Sequence, residues 1–139
     1  MAVIENKELA LTEMGRWHPG DLAFITKLIC ESNKSTCTSD IFIESIFQNK
    51  SNTSIGWPSC DQPWFAVSIH FVGIRDLKIQ GCGFPLQIMG FDILDISDKQ
   101  WEDVNFQVED YENGLLQFCC KNVRITSVNK MRGEFTGIG

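Results

Sequence analysis

The sequence is poor in histidine and lacks the motifs that common enzyme classes require. His18 and His70 are its two histidines among 139 residues. Histidine is the commonest general base near neutral pH, so this scarcity leaves few catalytic options. The chain also has no P-loop, no G-x-G-x-x-G turn, no G-x-S-x-G elbow and no H-E-x-x-H pair. We therefore expect no enzymatic activity, no catalytic residue and no cofactor.

Long apolar runs are also missing. Residues 1–16 interrupt their apolar positions with charged ones: Glu5, Lys7, Glu8, Glu13 and Arg16. No apolar stretch there reaches the length of a signal peptide, and no later segment is apolar enough to span a bilayer. We expect a cytoplasmic protein with no membrane partner.

Cysteine is present, but not in the spacing that metal or redox sites use. The six cysteines include no C-x-x-C pair, and neither His18 nor His70 lies at ligand spacing from a cysteine pair. In a reducing compartment such cysteines behave as small hydrophobic residues. We expect free thiols and no metal site.

The patterns that are present are those of β-strands. In the clearest one, over residues 63–72, aromatic and β-branched residues occupy every second position. Asn113-Gly114, between two further alternating runs, is a typical hairpin turn. Residues 86–96 read as one strand, and residues 4–14 as the best candidate helix, ending at Gly15.

These patterns predict a mainly β fold. About eight closely spaced strands without intervening helices indicate an antiparallel β-sandwich or a strongly curved sheet, with at most one short N-terminal helix. We expect a single domain over residues 1–139, with a leader or short helix over residues 1–16, a β core over 17–128 and a loose tail over 129–139.

Negative charge is concentrated in one segment. Residues 92–114 contain eight acids and one base, Lys99, a local net charge of minus seven, while the whole chain carries minus six. Such a segment repels nucleic acid and suits a basic protein partner, although a solvated acidic face that aids solubility explains the charge equally well. The predicted partner-binding residues are seven of these acids and two aromatic residues: Asp95, Asp98, Trp101, Glu102, Asp103, Glu109, Asp110, Tyr111 and Glu112.

Four stretches resemble small β-rich immunity proteins of bacterial polymorphic toxin systems, similar to the immunity protein 50 family. They are residues 17–22 (WHPGDL), 65–77 (FAVSIHFVGIRDL), 88–93 (IMGFDI) and 116–125 (LQFCCKNVRI). The resemblance implies a cytoplasmic protein, as in contact-dependent growth inhibition, that binds a cognate toxin one to one and covers its active site. Such toxins are often nucleases with basic clefts, and the acidic segment suits one.

Two other functions stay open at this point. One is a small-ligand-binding or enzymatic domain with a pocket between sheets, lined by Trp57, Trp64 and His70. The other is a structural or adaptor domain with a partner that is not a toxin.

Overall fold

The computed structural model describes residues 2–35, 37–50, 57–58, 62–80, 83, 85–88, 90–110, 112 and 114–131. The described residues form one α-helix and nine strands, which lie in two antiparallel sheets. The elements are α1 Lys7–Met14, β1 Leu22–Asn33, β2 Thr38–Phe47, β3 Phe65–Val72, β4 Arg75–Ile79, β5 Leu86–Gln87, β6 Phe91–Asp95, β7 Phe106–Asp110, β8 Leu116–Cys120 and β9 Asn122–Lys130. The first sheet has the order β5-β1-β2-β3-β9 and the second β4-β8-β7-β6. The predicted mainly β, antiparallel fold is confirmed.

The core lies between the inner faces of the two sheets. Alternate residues of β3 are buried, beginning with Phe65, and alternate residues of β8 are buried in the same way. Phe71 of β3 and Phe118 of β8 are fully buried and meet edge to face, with ring centroids 5.0 Å apart. Burying each such side chain stabilises the fold by about 1.5–3 kcal/mol, so alternation and core packing favour the same arrangement.

The prediction of one strand over residues 86–96 was wrong. Leu86 and Gln87 pair with β1 in the first sheet, whereas β6 pairs with β7 in the second. The chain changes sheets near Gly90, and strands that switch sheets in this way form the corners of sandwiches. The apolar alternation also changes phase here, from Leu86 and Ile88 to Phe91 and Ile93, and this phase change is the sequence signal of the break.

The N-terminal helix ends where the sequence predicts. Gly15, at φ 81°, terminates α1 with its N–H donating to the Leu11 carbonyl (3.1 Å). The residues before α1 are not helical, because Glu5 exchanges backbone hydrogen bonds with Val123 (2.9 Å) and Ile125 (3.0 Å) of β9. This short parallel bridge covers part of an otherwise open sheet edge.

The C-terminal strand continues further than the β core predicted over residues 17–128. β9 includes Lys130. Residues 132–139, most of the predicted loose tail, lie outside the described residues. Across the part of the chain that the structure describes, no helix is long and apolar enough to cross a membrane.

Candidate partner-binding surface

The second sheet has one face on the core and one face turned away from it. On the latter, the strand register places Leu94, Gln107 and Cys119 side by side in one row. The adjacent row contains Asp92, Glu109 and Gln117. We call these six residues the outer face. It is polar and acidic, but it includes an aliphatic side chain, Leu94, that is 38% exposed.

The loop between β6 and β7, residues 96–105, carries the most exposed described tryptophan. Its ends are fixed, because Ile96 N–H donates to the Asn105 carbonyl (2.8 Å) and Asn105 N–H donates to the Cys120 carbonyl (3.0 Å). Between these anchors Trp101 is 54% exposed, and Lys99 Nζ lies 5.1 Å from the centroid of its ring. The loop therefore presents an aromatic side chain at one end of the outer face.

Asp98, Glu102 and Glu109 remain accessible on the outer face and the adjoining β6–β7 loop. Asp98 and Glu102 are exposed in the β6–β7 loop, beside Trp101. Glu109 is half-buried on the outer face, where its Oε2 accepts a hydrogen bond from Gln107 Nε2 (3.2 Å). These three acids are available to a basic partner.

Asp95 and Asp103 are engaged with groups of their own chain. The Asp95 carboxylate accepts hydrogen bonds from the Ser97 hydroxyl (2.6 Å), the Ser97 N–H (3.0 Å) and the Ala2 N–H (3.1 Å). These bonds, the Ser97 hydroxyl first, lower the pKa of Asp95. Asp103 lies 4.0 Å from Arg75 Nη2 and 3.7 Å from Lys121 Nζ, so nearby bases offset its charge.

Asp110, grouped with the contact acids in the sequence analysis, lies inside the protein. The alternation of β7 places it on the inner face, where it is 2% exposed. Its Oδ2 accepts a hydrogen bond from Leu115 N–H (3.3 Å), and its carbonyl accepts one from Gly114 N–H (3.0 Å). Asp110 thus stabilises the β7–β8 turn and does not present its carboxylate to a partner.

The last two predicted contact residues lie away from Trp101. Glu112 is exposed in the β7–β8 turn, and Tyr111 lies outside the described residues. The β7–β8 turn is at the opposite end of β7 from the Trp101 loop. A five-residue strand spans about 17 Å, so Glu112 and Trp101 belong to opposite ends of the sheet.

Apart from Trp101, sequence reasoning missed the uncharged residues of this surface. Leu77, Leu94, Gln107 and Cys119 all lie on or beside the outer face. A signal existed for Leu94, which follows the inward-facing Ile93 and is therefore an apolar residue at an outward position. No signal placed Leu77 there, because the pairing of β4 with β8 is a tertiary feature.

The pocket between the sheets that Trp57, Trp64 and His70 were predicted to line does not form from these residues. Trp64, directly before β3, and His70 of β3 occupy positions that alternate with the core residues, so both face away from the second sheet. They are also six residues apart along an extended stretch of chain, about 20 Å. Trp57 and Trp64 do share an apolar cluster, which His70 does not join.

His70 has its own partners on the far part of β3. Its Nε2 lies 2.9 Å from Asp40 Oδ2, and its ring stacks on Phe42 with centroids 4.2 Å apart. Asp40 also accepts a hydrogen bond from the Gly73 N–H (3.2 Å). The arrangement ties the chain where it leaves β3, which is a structural role.

Metal and thiol chemistry have little support in the described part of the chain. Within residues 2–131, gaps excepted, no three His, Cys, Asp or Glu side chains are grouped to hold a metal ion. The described cysteines Cys30, Cys37, Cys119 and Cys120 are free thiols. Burial raises the pKa of Cys119 and, much further, that of Cys120, which disfavours the reactive thiolate.

The comparisons with known proteins point to one class of protein. The family model of immunity protein PIM8 matches residues 64–126. The matched residues contain the whole second sheet and the Trp101 loop. No curated protein and no solved structure matches the chain.

The match confirms the predicted resemblance at the level of protein class, and the matching family is PIM8 where the resemblance was to immunity protein 50. An immunity protein has a cognate toxin as its partner. Over residues 64–126 this chain is similar to the PIM8 immunity proteins, which is consistent with a polymorphic-toxin immunity protein.

Proposed function

We propose that this protein neutralises a cognate nuclease toxin by binding, one to one, to the basic region around the active site of the toxin. The contact surface consists of the outer face together with Asp98, Trp101 and Glu102 of the β6–β7 loop. One observation supports this best: the segment similar to immunity proteins contains an exposed surface that combines carboxylates with a tryptophan.

Charge supports a basic partner. A nuclease binds phosphates through lysine and arginine, so its substrate cleft carries positive potential. Carboxylates on the facing protein attract that cleft over about a Debye length and orient the encounter. The accessible acids of this segment, Asp98, Glu102 and Glu109, supply this attraction.

The predicted acids fall into two groups, according to whether their carboxylates already make more than one contact with other groups of this chain. Asp98, Glu102 and Glu109 lie on the proposed contact surface. Asp95 and Asp103 are held by neighbouring groups and form part of its rim. Glu112 lies at the far end of the sheet. Asp95, Asp103 and Glu112 contact the toxin if the interface reaches the usual size of about 800 Å² per partner.

The first test is neutralisation. The gene beside the one for this protein is co-expressed with it, the product is purified as a complex, and nuclease activity of the dissociated toxin is measured with and without added protein. We expect inhibition that saturates at one equivalent. A toxin with another activity contradicts the nuclease assignment, and a toxin that neither binds nor is inhibited contradicts the proposed function.

The second test locates the surface. We expect Asp98→Lys, Glu102→Lys and Glu109→Lys together to weaken toxin binding by about 100-fold or more and to reduce its salt dependence, because several close charge pairs become repulsive. The control carries the same change in charge at exposed acids elsewhere: Glu8→Lys, Glu13→Lys and Glu31→Lys. Equal weakening by both triple variants contradicts the proposed surface.

A further inference from the structure

A cleft crosses the second sheet beside the Trp101 loop. It has a volume of about 410 Å³, and its lining includes Leu77, Trp101, Gln107, Gln117 and Cys119. Two of its apolar side chains remain accessible, since Leu77 is 38% exposed and Trp101 is 54% exposed. Its size is sufficient for one large side chain of another protein.

A bulge in β4 accompanies the cleft. The pairing of β4 with β8 shifts between Arg75 and Lys78, and Asp76 between them has φ 57°. A non-glycine residue in the left-handed region is uncommon. Bulges re-aim side chains and are frequent beside binding sites, and here the bulge directly precedes Leu77.

The charges at the cleft differ from those around it. Asp76 and Lys78 both line the cleft, and Lys99 lies over the Trp101 ring. Asp76 and Lys99 are also near enough to Cys119 to shift its pKa in opposite directions. These three residues sum to plus one, while the surrounding segment is strongly acidic. A basic side chain in the cleft would therefore meet two like charges against one opposite charge.

We propose that the cleft binds an uncharged apolar side chain, aromatic or aliphatic, that projects from the otherwise basic surface of the toxin. This inference rests on the proposed function and assigns the central contact of that interface. The toxin side chain packs against Trp101 and Leu77, while the acids around the cleft pair with basic residues at its rim. Interface hot spots have this arrangement, with a desolvated apolar contact surrounded by polar ones that exclude water.

The test measures the affinity of the toxin domain encoded by the neighbouring gene for variants of the cleft at several salt concentrations. We expect Trp101→Ala to weaken binding by about 30-fold or more, as for a hot-spot residue, with an unchanged salt dependence. Gln117→Trp, which fills the cleft without changing charge, should weaken binding similarly. Trp101→Leu should recover most of the loss, because it restores apolar contact. Leu11→Ala is the control, since it removes an exposed apolar side chain from α1.

Each alternative outcome is distinguishable. Near wild-type binding by both Trp101→Ala and Gln117→Trp contradicts the proposal that the cleft binds a toxin side chain, and leaves the proposed function intact. A Trp101→Leu variant as weak as Trp101→Ala overturns the apolar occupant, because a cation over the ring requires an aromatic side chain. Failure of the unmodified protein to bind the toxin overturns the proposed function and this inference together. Unfolding of each variant in urea shows whether it is folded.

Discussion

The two sheets use the faces they turn away from the core in different ways. On the first sheet Phe24, Ile46 and Trp64 form an apolar cluster in which each is about 5% exposed, and Trp57 and Met131 pack against it. On the second sheet Leu94 is 38% exposed, and Trp101 of the β6–β7 loop is 54% exposed. An apolar side chain that the chain itself covers contributes to folding, whereas one left exposed is available to a partner.

Buried and exposed acids differ in the same way. On the first sheet Asp40 contacts His70 and Gly73, and next to β1 Asp21 accepts two hydrogen bonds from Arg16 (2.6 and 2.8 Å). Beside the second sheet Asp98 and Glu102 are exposed at the loop. Acids that are buried must be satisfied within the fold, while exposed acids can act between molecules.

The largest expected difference is in stability. We expect Trp64→Ala to lower the free energy of unfolding by about 3–5 kcal/mol, because it empties a buried apolar cluster. Trp101→Ala should lower it by less than about 1 kcal/mol, because its ring is already half in solvent. Urea unfolding followed by circular dichroism measures both. Equal losses would remove the distinction between the two faces.

The buried acid of the first sheet provides a second comparison. Asp40→Ala should cost about 1–3 kcal/mol of unfolding free energy, because His70 Nε2 and the Gly73 N–H lose their acceptor. Asp98→Ala, at an exposed site, should change it by about 0.5 kcal/mol or less. The same urea titrations measure this pair. If Asp98→Ala lowered the free energy of unfolding as much as Asp40→Ala, the Trp101 loop would have a structural role as well.

Thiol labelling compares the accessibility of cysteines on the two sheets in the unmodified protein. We expect iodoacetamide to modify the exposed Cys30 at least about tenfold faster than Cys120, because burial removes access to Cys120 and raises its pKa. Bound toxin should slow modification of Cys119, on the outer face, and leave Cys30 unaffected. Peptide mass spectrometry assigns each site. Protection of Cys30 in place of Cys119 would put the toxin on the first sheet.

The smallest effect concerns the acid at the end of β6. Ser97→Ala should raise the pKa of Asp95 toward its ordinary value of 3.8, because it removes the principal hydrogen bond to the carboxylate. A lowered folded-state pKa contributes stability above pH 3.8 that is lost as the pH falls through the folded value. The variant should therefore lose less stability on acidification. Side-chain NMR titration measures the shift, and an unchanged Asp95 pKa would contradict the assigned cause.

Much of the fold could be predicted because its signals are local. The alternation of β3, the hairpin of β7 and β8 and the glycine at the end of α1 each occur within a few residues of sequence. The break between β5 and β6 was missed although a phase change marks it. The bulge of β4 could not be predicted, because it depends on pairing with β8 from a distant part of the chain.

The candidate site was predicted less completely. Charge density along the chain selected Asp98, Trp101 and Glu102, and the structure places these three in one exposed loop, while their contact with a partner stays a prediction. It also included Asp110, which is buried, because counting acids along a segment ignores the alternation that turns every second residue of β7 inward.

The sequence by itself determined the class of fold and which residues of each strand alternate, because side-chain direction in a strand has a period of two. Tertiary structure alone decided which outward-facing apolar residues are covered. Trp64 is buried because β1, β2 and the chain after β9 bring Phe24, Ile46 and Met131 against it, whereas no described segment covers Trp101 to the same extent. Burial depends on what distant segments bring together, and that information is not present in any local pattern.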